Sequence, residues 1–369
     1  MQDSRVLKFL ALLALLIAAG YFFGRHSDHS RDAGRTAPRP LPRGDGTANR
    51  DVPESRALSP ADLLSQIFDR IRSGNLRPGD LAAMRRLLLA ADPHEAMAAI
   101  LSFLETGRDA RTGENFGIQK GGGLAGAPTF RVMLLDLLGR IARDAGSDDA
   151  LTFSRELLTR KTSADEWAIA LRNVAWSAPE ERPYLATKMR EMLAYQPWRQ
   201  QPGTGFLEAF DVIVYTRDAT FAADLSTMAN SEDDAIRRAA AAAMDRLSEM
   251  APLDVMNYLN GHPAEFADRP FLRADYYSKA DLSQPQQRQA VETYLARADV
   301  NVAEKDKLLS VFASPGSFVG DTLVTDSAAA DDPPQRTAGL RAAVGDWLKG
   351  NRFPDLANSL GQLQQRLAE

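Results

Sequence analysis

Apolar positions fall into three regimes along this chain. They are almost continuous from Val6 to Phe23, VLKFLALLALLIAAGYFF, nearly vanish from His26 to Leu58, and recur at helical spacing from Ser59 onward. A helix of the first 18 residues is about 27 Å long, close to the roughly 30 Å hydrocarbon core of a bilayer. Lys8 lies one turn from its start, so the ammonium reaches the headgroups, and Tyr21, Phe22 and Phe23 supply an aromatic ring at the far end. The expectation is a membrane anchor over residues 1–25, touching the lipid bilayer through residues 6–23. A cleaved leader is the alternative, with Arg5 and Lys8 as its basic start, Phe9 to Ile17 as its apolar middle and Ala18-Ala19-Gly20 as its small-residue exit. The aromatic continuation through Phe23 argues against cleavage. Arg5 and Lys8 favour a cytoplasmic start, while Arg25, Arg31, Arg35, Arg39, Arg43 and Arg50 contest it. The common arrangement for such an anchor is a single-pass protein with its C-terminal domain extracytoplasmic, periplasmic in a bacterium.

Residues 26–58 are rich in Arg, Pro, Gly and Asp and cannot bury enough surface to offset chain entropy, which predicts a disordered tether. Residues 59–369 carry helical punctuation. Ser59-Pro60-Ala61-Asp62 places an acceptor at the cap, proline at the first helical position and an acid in the first turn. Asp92-Pro93-His94-Glu95, Ser163-Ala164-Asp165-Glu166, Ser231-Glu232-Asp233-Asp234 and Asn301-Val302-Ala303-Glu304 repeat the theme. Phe210 to Tyr215 fits a short strand, but Phe206, Leu207, Phe210, Ile213 and Val214 also form a helical stripe. The expectation is an all-α body of about fourteen helices with no real sheet. Long structureless loops are expected at 107–128 and 314–336, the second a flexible insertion. Helices over Thr337 to Leu348 and Pro354 to Leu367 close the body, with Leu340, Val344, Trp347 and Leu348 facing inward.

Helix pairs start roughly 33 to 40 residues apart, from Ser59 to Asp92 and from Thr129 to Ser163, the range of two-helix repeats. The clearest unit is Asp233 to Leu259, DDAIRRAAAAAMDRLSEMAPLDVMNYL, with Ile236-Arg237-Arg238 one turn in and then Ala239, Ala240, Ala243, Met244 and Leu247. It resembles a HEAT-type repeat. That resemblance implies an α-solenoid that binds partners along an extended surface, and it implies no chemistry.

Charge narrows the partners. The chain has 44 basic and 49 acidic side chains, of which residues 1–50 hold eight and four, leaving 36 against 45 in the remainder. A net −9 body lacks the concentrated basic face that displaces counterions, so no nucleic acid is expected. The absence of cysteine excludes disulfides, thiolate metal sites and a cysteine nucleophile.

Motifs for chemistry are incomplete. Gly121-Gly122-Gly123-Leu124-Ala125-Gly126 matches G-x-G-x-x-G, but no buried strand feeds it and a second helix follows, so no dinucleotide cofactor is expected. Lys120 precedes the glycines and so is no phosphate-loop lysine. His94-Glu95 opens H-E-x-x-H, yet position 98 is alanine, and His262 has no metal-ligand spacing to another histidine, so no metal is expected. Asp148-Asp149, Glu180-Glu181 and Asp233-Asp234 sit at predicted helix starts, where the dipole favours them. Trp167 and Trp176 are expected in the core. Candidate partner-binding residues are Phe116, Ile118 and Lys120 in the glycine loop, Trp198 as an exposed anchor at a helix end, and Tyr276 and Tyr277.

These features predict a non-catalytic, membrane-anchored scaffold that binds another protein. Two further readings stay open. Anchor, Ala/Pro/Arg-rich tether and helical body together make a layout similar to that of lipase-specific foldases, which implies a tethered folding helper for secreted enzymes. An enzyme with its site around the 107–128 loop is the other.

Overall fold

The computed structural model describes residues 58–312, 320–325 and 334–368, all within the compact unit Ala57–Glu369. The anchor, and the tether up to residue 57, lie outside the described residues. Among the described residues no helix is long and apolar enough to cross a membrane.

The described chain is all-α apart from one small hairpin. Helices α1 (Pro60–Ser73), α2 (Asp80–Ala90) and α3 (Pro93–Glu105) lead into strands β1 (Gly117–Ile118) and β2 (Leu124–Gly126). Then come α4 (Phe130–Ala145), α5 (Asp149–Leu157), α6 (Ala164–Ser177) and α7 (Arg182–Ala194), followed by the short α8 (Gln196–Gln200), α9 (Thr204–Glu208) and α10 (Phe210–Thr216). The rest is α11 (Phe221–Ala229), α12 (Asp234–Met250), α13 (Pro252–Gly261), α14 (Pro270–Tyr277), α15 (Pro285–Ala296), α16 (Val302–Val311), α17 (Pro334–Lys349) and α18 (Ala357–Ala368).

The capping signals act as their chemistry requires. Ser59, Asp92, Ser163 and Asn301 each accept the backbone N–H three residues on, at 3.2, 3.0, 3.4 and 2.9 Å. In Ser231–Asp234 the cap is Asp233, whose carboxylate accepts the amides of Ala235 and Ile236 at 2.9 Å, while Ser231 accepts the amide of Asp233. Phe210–Thr216 is helix, which decides the strand-or-helix ambiguity. The stripe from Phe206 to Val214 is nevertheless split between α9 and α10, and the described residues hold more helices than the expected fourteen. Gly205 lies against Asp165: its amide donates to Asp165 Oδ1 at 2.9 Å, and a Cβ there would stand 2.4 Å from the same oxygen.

Helices pack on the helix two places on. α4 packs on α6, α10 on α12, α12 on α14, α14 on α16 and α16 on α18, while α11 packs on α13 and α13 on α15. The small side chains of α12 serve this packing, with Ile236, Ala240, Ala243, Met244 and Leu247 buried. At the C-terminal end Leu340, Val344 and Trp347 are buried and Leu348 is half-buried.

Where α4 crosses α6, Gly139 faces Asn173. A Cβ at 139 would lie 2.0 Å from Asn173 Oδ1. Asn173 cannot simply turn away, because its amide donates to the Leu135 carbonyl at 3.1 Å and its oxygen accepts from Arg172 at 2.9 Å. Gly139→Ala is therefore expected to cost about 1–3 kcal/mol through overpacking, read as a lower urea midpoint with helical circular dichroism retained.

Candidate interaction site

The site is built from the two segments the hydrophobic pattern leaves blank. Residues 107–128 are ordered, contrary to the expectation of a structureless loop. Hydrogen bonds from Thr112 N to Pro128 O (3.1 Å), Gln119 N to Gly123 O (2.8 Å) and Phe130 N to Ala110 O (2.9 Å) zip the loop closed. Glu114 pins its base, pairing with Arg85 of α2 and accepting the Ala127 amide at 3.0 Å. These ties are polar, which is why apolar periodicity does not register them.

At the tip, the Gly122 carbonyl and the Leu124 amide enter a buried charge cluster. Asp136 of α4 and Arg172 of α6 form an ion pair at 2.6 Å with 1% and 0% of their surfaces exposed. The Leu124 amide donates to Asp136 at 3.0 Å, and Arg172 donates to the Gly122 carbonyl at 2.8 Å. Two charges taken out of water require such complete pairing. Desolvation pulls the Arg172 pKa below its ordinary value, with the Asp136 charge opposing it. The guanidinium stays charged because its ordinary value lies far above neutrality. Trp176 has the guanidinium carbons of Arg172 and Arg143 at 4.0 and 4.1 Å from its ring centroid. It is half-buried there, where a core position was expected; Trp167 is fully buried.

The second blank segment docks beside this cluster, which corrects its reading as a flexible insertion for residues 320–325; the flanks 314–319 and 326–333 lie outside the described residues. The Leu323 carbonyl sits where a Cβ on Gly122 would be, 2.3 Å from the ideal position, and Gly122 holds φ +78°. Sterics and backbone conformation both demand glycine at 122. Leu323 is fully buried, Val324 half-buried and Thr325 buried. Val324 and Thr325 donate their amides to Asp211 Oδ2 at 2.6 and 2.8 Å. The Thr325 hydroxyl and Arg246 of α12 both donate to Asp211 Oδ1. Asp211 thus collects four donors from two directions.

Glu208, one turn before Asp211, has no such company. Burial, and then the nearby Asp211 charge, raise its pKa above the ordinary carboxylate value. A raised folded-state pKa means that the charged form opposes folding. The proton-linked stability is fully present below the unfolded pKa and is lost as pH rises through the folded one. Glu208→Gln is accordingly expected to raise the thermal midpoint at pH 7, with the gain vanishing below about pH 4, where both states are protonated.

The candidate residues do not gather at one place. Lys120 is exposed at the loop tip, Ile118 is half-buried against the core, and Phe116 is buried, so it anchors the loop instead of presenting it. Trp198 is not an exposed anchor: it is half-buried, edge-on to Trp167 at 5.4 Å and to Tyr195 at 4.8 Å. Tyr276 and Tyr277 are 1% and 0% exposed, which removes them from any partner surface. Tyr277 stacks on Tyr294 at 3.9 Å beside a further buried ion pair, Arg273 with Glu304 at 2.7 and 3.0 Å. His94 and His262 are exposed, and His262 stacks on Tyr258 at 4.0 Å. Asp136, Arg172, Asp211, Arg246, Leu323 and Thr325 escaped the sequence reading. A signal existed for the first two: the acid in VMLLDLLG and the base in WAIALRNVAW are each flanked by apolar residues along a helix, and such charges need partners.

Chemically, the arrangement holds backbone amides through a buried carboxylate. No family model matches the chain, and no characterised protein matches its sequence.

Proposed function

We propose that this chain is a membrane-anchored, extracytoplasmic helical-repeat scaffold that binds another protein and catalyses no reaction. The observation that carries the repeat reading is a recurring polar link between helices one pair apart. Arg131 with Glu166, Asp136 with Arg172, Asp211 with Arg246 and Arg273 with Glu304 are separated by 35, 36, 35 and 31 residues. A two-helix unit has this length, and in a HEAT-like solenoid each unit contacts only its neighbours, so equivalent residues meet at the repeat spacing. Packing of α4 on α6, and of each helix from α10 to α14 on the one two places on, supports the same reading. The apolar run of residues 6–23 supports the anchor.

Location is tested by fusing a reporter that is active only after export behind Glu369 in a bacterial host. Activity with the full chain, lost when residues 1–25 are deleted, is the expected result. A reporter active only in its cytoplasmic form overturns the extracytoplasmic assignment.

A further inference from the structure

We propose that the outer face of α2 rests on the membrane surface, with Leu87 and Leu89 in the apolar layer and Arg86 at the lipid phosphates.

At 3.6 residues per turn, Leu81, Met84 and Leu88 share one side of α2. They are buried, where α2 packs on α1, α3 and α4. The other side is open: Ala82, Arg86, Leu87, Leu89 and Ala90 are exposed, Leu87 by 56% and Leu89 by 38%. Only Arg86 in that set is polar, so α2 turns a largely apolar face to its surroundings. A helix apolar on both sides belongs inside a protein core or against lipid. The last helix shows the ordinary ending of a helical stack. The exposed side of α18 carries Asn358, Gln362, Gln364, Gln365 and Arg366, the polar outer face that a terminal repeat needs in water. The first helices and the last thus present different surfaces. Of the six large apolar side chains exposed among the described residues, Leu58, Leu87 and Leu89 all lie in the first part.

Size and charge identify the cover. A stable protein pair buries about 800 Å² on each partner. The face of an 11-residue helix, about 16 Å long and about 10 Å wide, falls far short of that. A bilayer needs no such area, because the proposed anchor already holds it at high local concentration, and α2 is the second described helix after that anchor. Charge agrees. Residues 58–91 hold five Arg and three Asp, net +2, while residues 92–369 hold 30 basic and 40 acidic side chains, net −10. An anionic lipid surface attracts the first part and repels the rest, which turns α2 toward it. Arg86 lays its stem along the leucines and its guanidinium on the phosphates. An interfacial helix sinks its apolar face about 5–10 Å into the boundary between headgroups and acyl chains. This inference rests on the anchor reading and adds to it the side of the folded body that meets the lipid.

The chain lacks cysteine, so Ala90→Cys, and separately Gln364→Cys on α18, each take a single fluorophore in the full chain. Each labelled chain is reconstituted into vesicles of phosphatidylcholine and phosphatidylglycerol, in which part of the lipid carries a nitroxide near the ester end of its acyl chain. Quenching at position 90 is expected to exceed that at position 364 about threefold or more. Adding Leu87→Asp with Leu89→Asp, both at exposed positions, is expected to bring position 90 down to the level of position 364 with helical circular dichroism unchanged. Equal quenching at the two positions, the result for a face open to water or covered by a second copy, overturns the proposal. Quenching at position 90 that survives the two aspartates overturns it too. Flotation of the vesicles reads the anchor separately. A chain that floats with equal quenching overturns the α2 contact and keeps the anchor, and a chain that does not float overturns both.

Discussion

Arg172→Ala is expected to lower the unfolding free energy by about 3–5 kcal/mol, the cost of leaving a buried charge without its partner. Arg172 is fully buried and donates to Asp136, to the Gly122 carbonyl and to Asn173 at 2.6, 2.8 and 2.9 Å. Truncation leaves the 1%-exposed Asp136 with the Leu124 amide at 3.0 Å and the more distant Arg140 at 3.8 Å. It also frees the carbonyl at the glycine-loop tip. Two measurements check this. Urea unfolding reads the lost stability, and limited trypsin digestion at the exposed Lys120 should accelerate as the tip detaches. The double variant Arg172→Ala with Asp136→Ala separates the pair from its surroundings, because removing both charges removes the uncompensated one. It should be less destabilised than the sum of the two single variants. A single variant as stable as the parent would show that the cluster does not hold the loop.

Glu304→Ala is expected to cost a similar amount, about 3–5 kcal/mol. Glu304 is 1% exposed and accepts two bonds from Arg273, at 2.7 and 3.0 Å, and one from the Tyr294 hydroxyl. Burial alone would lower the Arg273 pKa, but its hydrogen bond to Glu304 and the carboxylate charge more than offset that, leaving it raised. Tyr294 is raised too, first by burial and then by its bond to Glu304. Without the carboxylate, Arg273 retains its bond to the Pro263 carbonyl at 2.9 Å. Urea unfolding should show the lower midpoint. Near-ultraviolet circular dichroism should lose the signal of the Tyr277–Tyr294 stack, since Glu304 orients one of its two rings. Glu304→Gln, which keeps an acceptor but no charge, should fall between the parent and the alanine variant. An alanine variant within about 0.5 kcal/mol of the parent would remove this pair from the set that joins helices one pair apart.

Much of the fold is legible residue by residue. Ser59, Asp92, Ser163 and Asn301 announce helix starts because a short side-chain acceptor there satisfies an amide that the helix leaves free, a local effect that needs no distant partner. The α12–α13 unit is legible for the same reason, since small and apolar residues at helical spacing dictate a packed face. Loop order is not legible. Residues 107–128 look structureless because Gly107, Gly113, Gly121 and Gly122 bend them, and the groups that hold them are polar and far away in sequence: Arg85, Asp136 and Arg172. The aromatic candidates show a related blindness. Trp198, Tyr276 and Tyr277 lie at or near helix ends, a pattern that fits an exposed anchor and a buried wedge equally, and packing decides: Phe266 and Tyr294 bury the tyrosines, and Trp167 half-buries Trp198.

By itself the sequence determined the helical class, most of the capping, most of the inward face of α17 and the near absence of strands, because backbone hydrogen bonding and periodicity act over a few residues. Only the tertiary structure decided which charges are buried together and where Leu323–Thr325 rests. Those contacts join groups 31 to 114 residues apart, and an ion pair is specified by the approach of two helices, which no local spacing encodes.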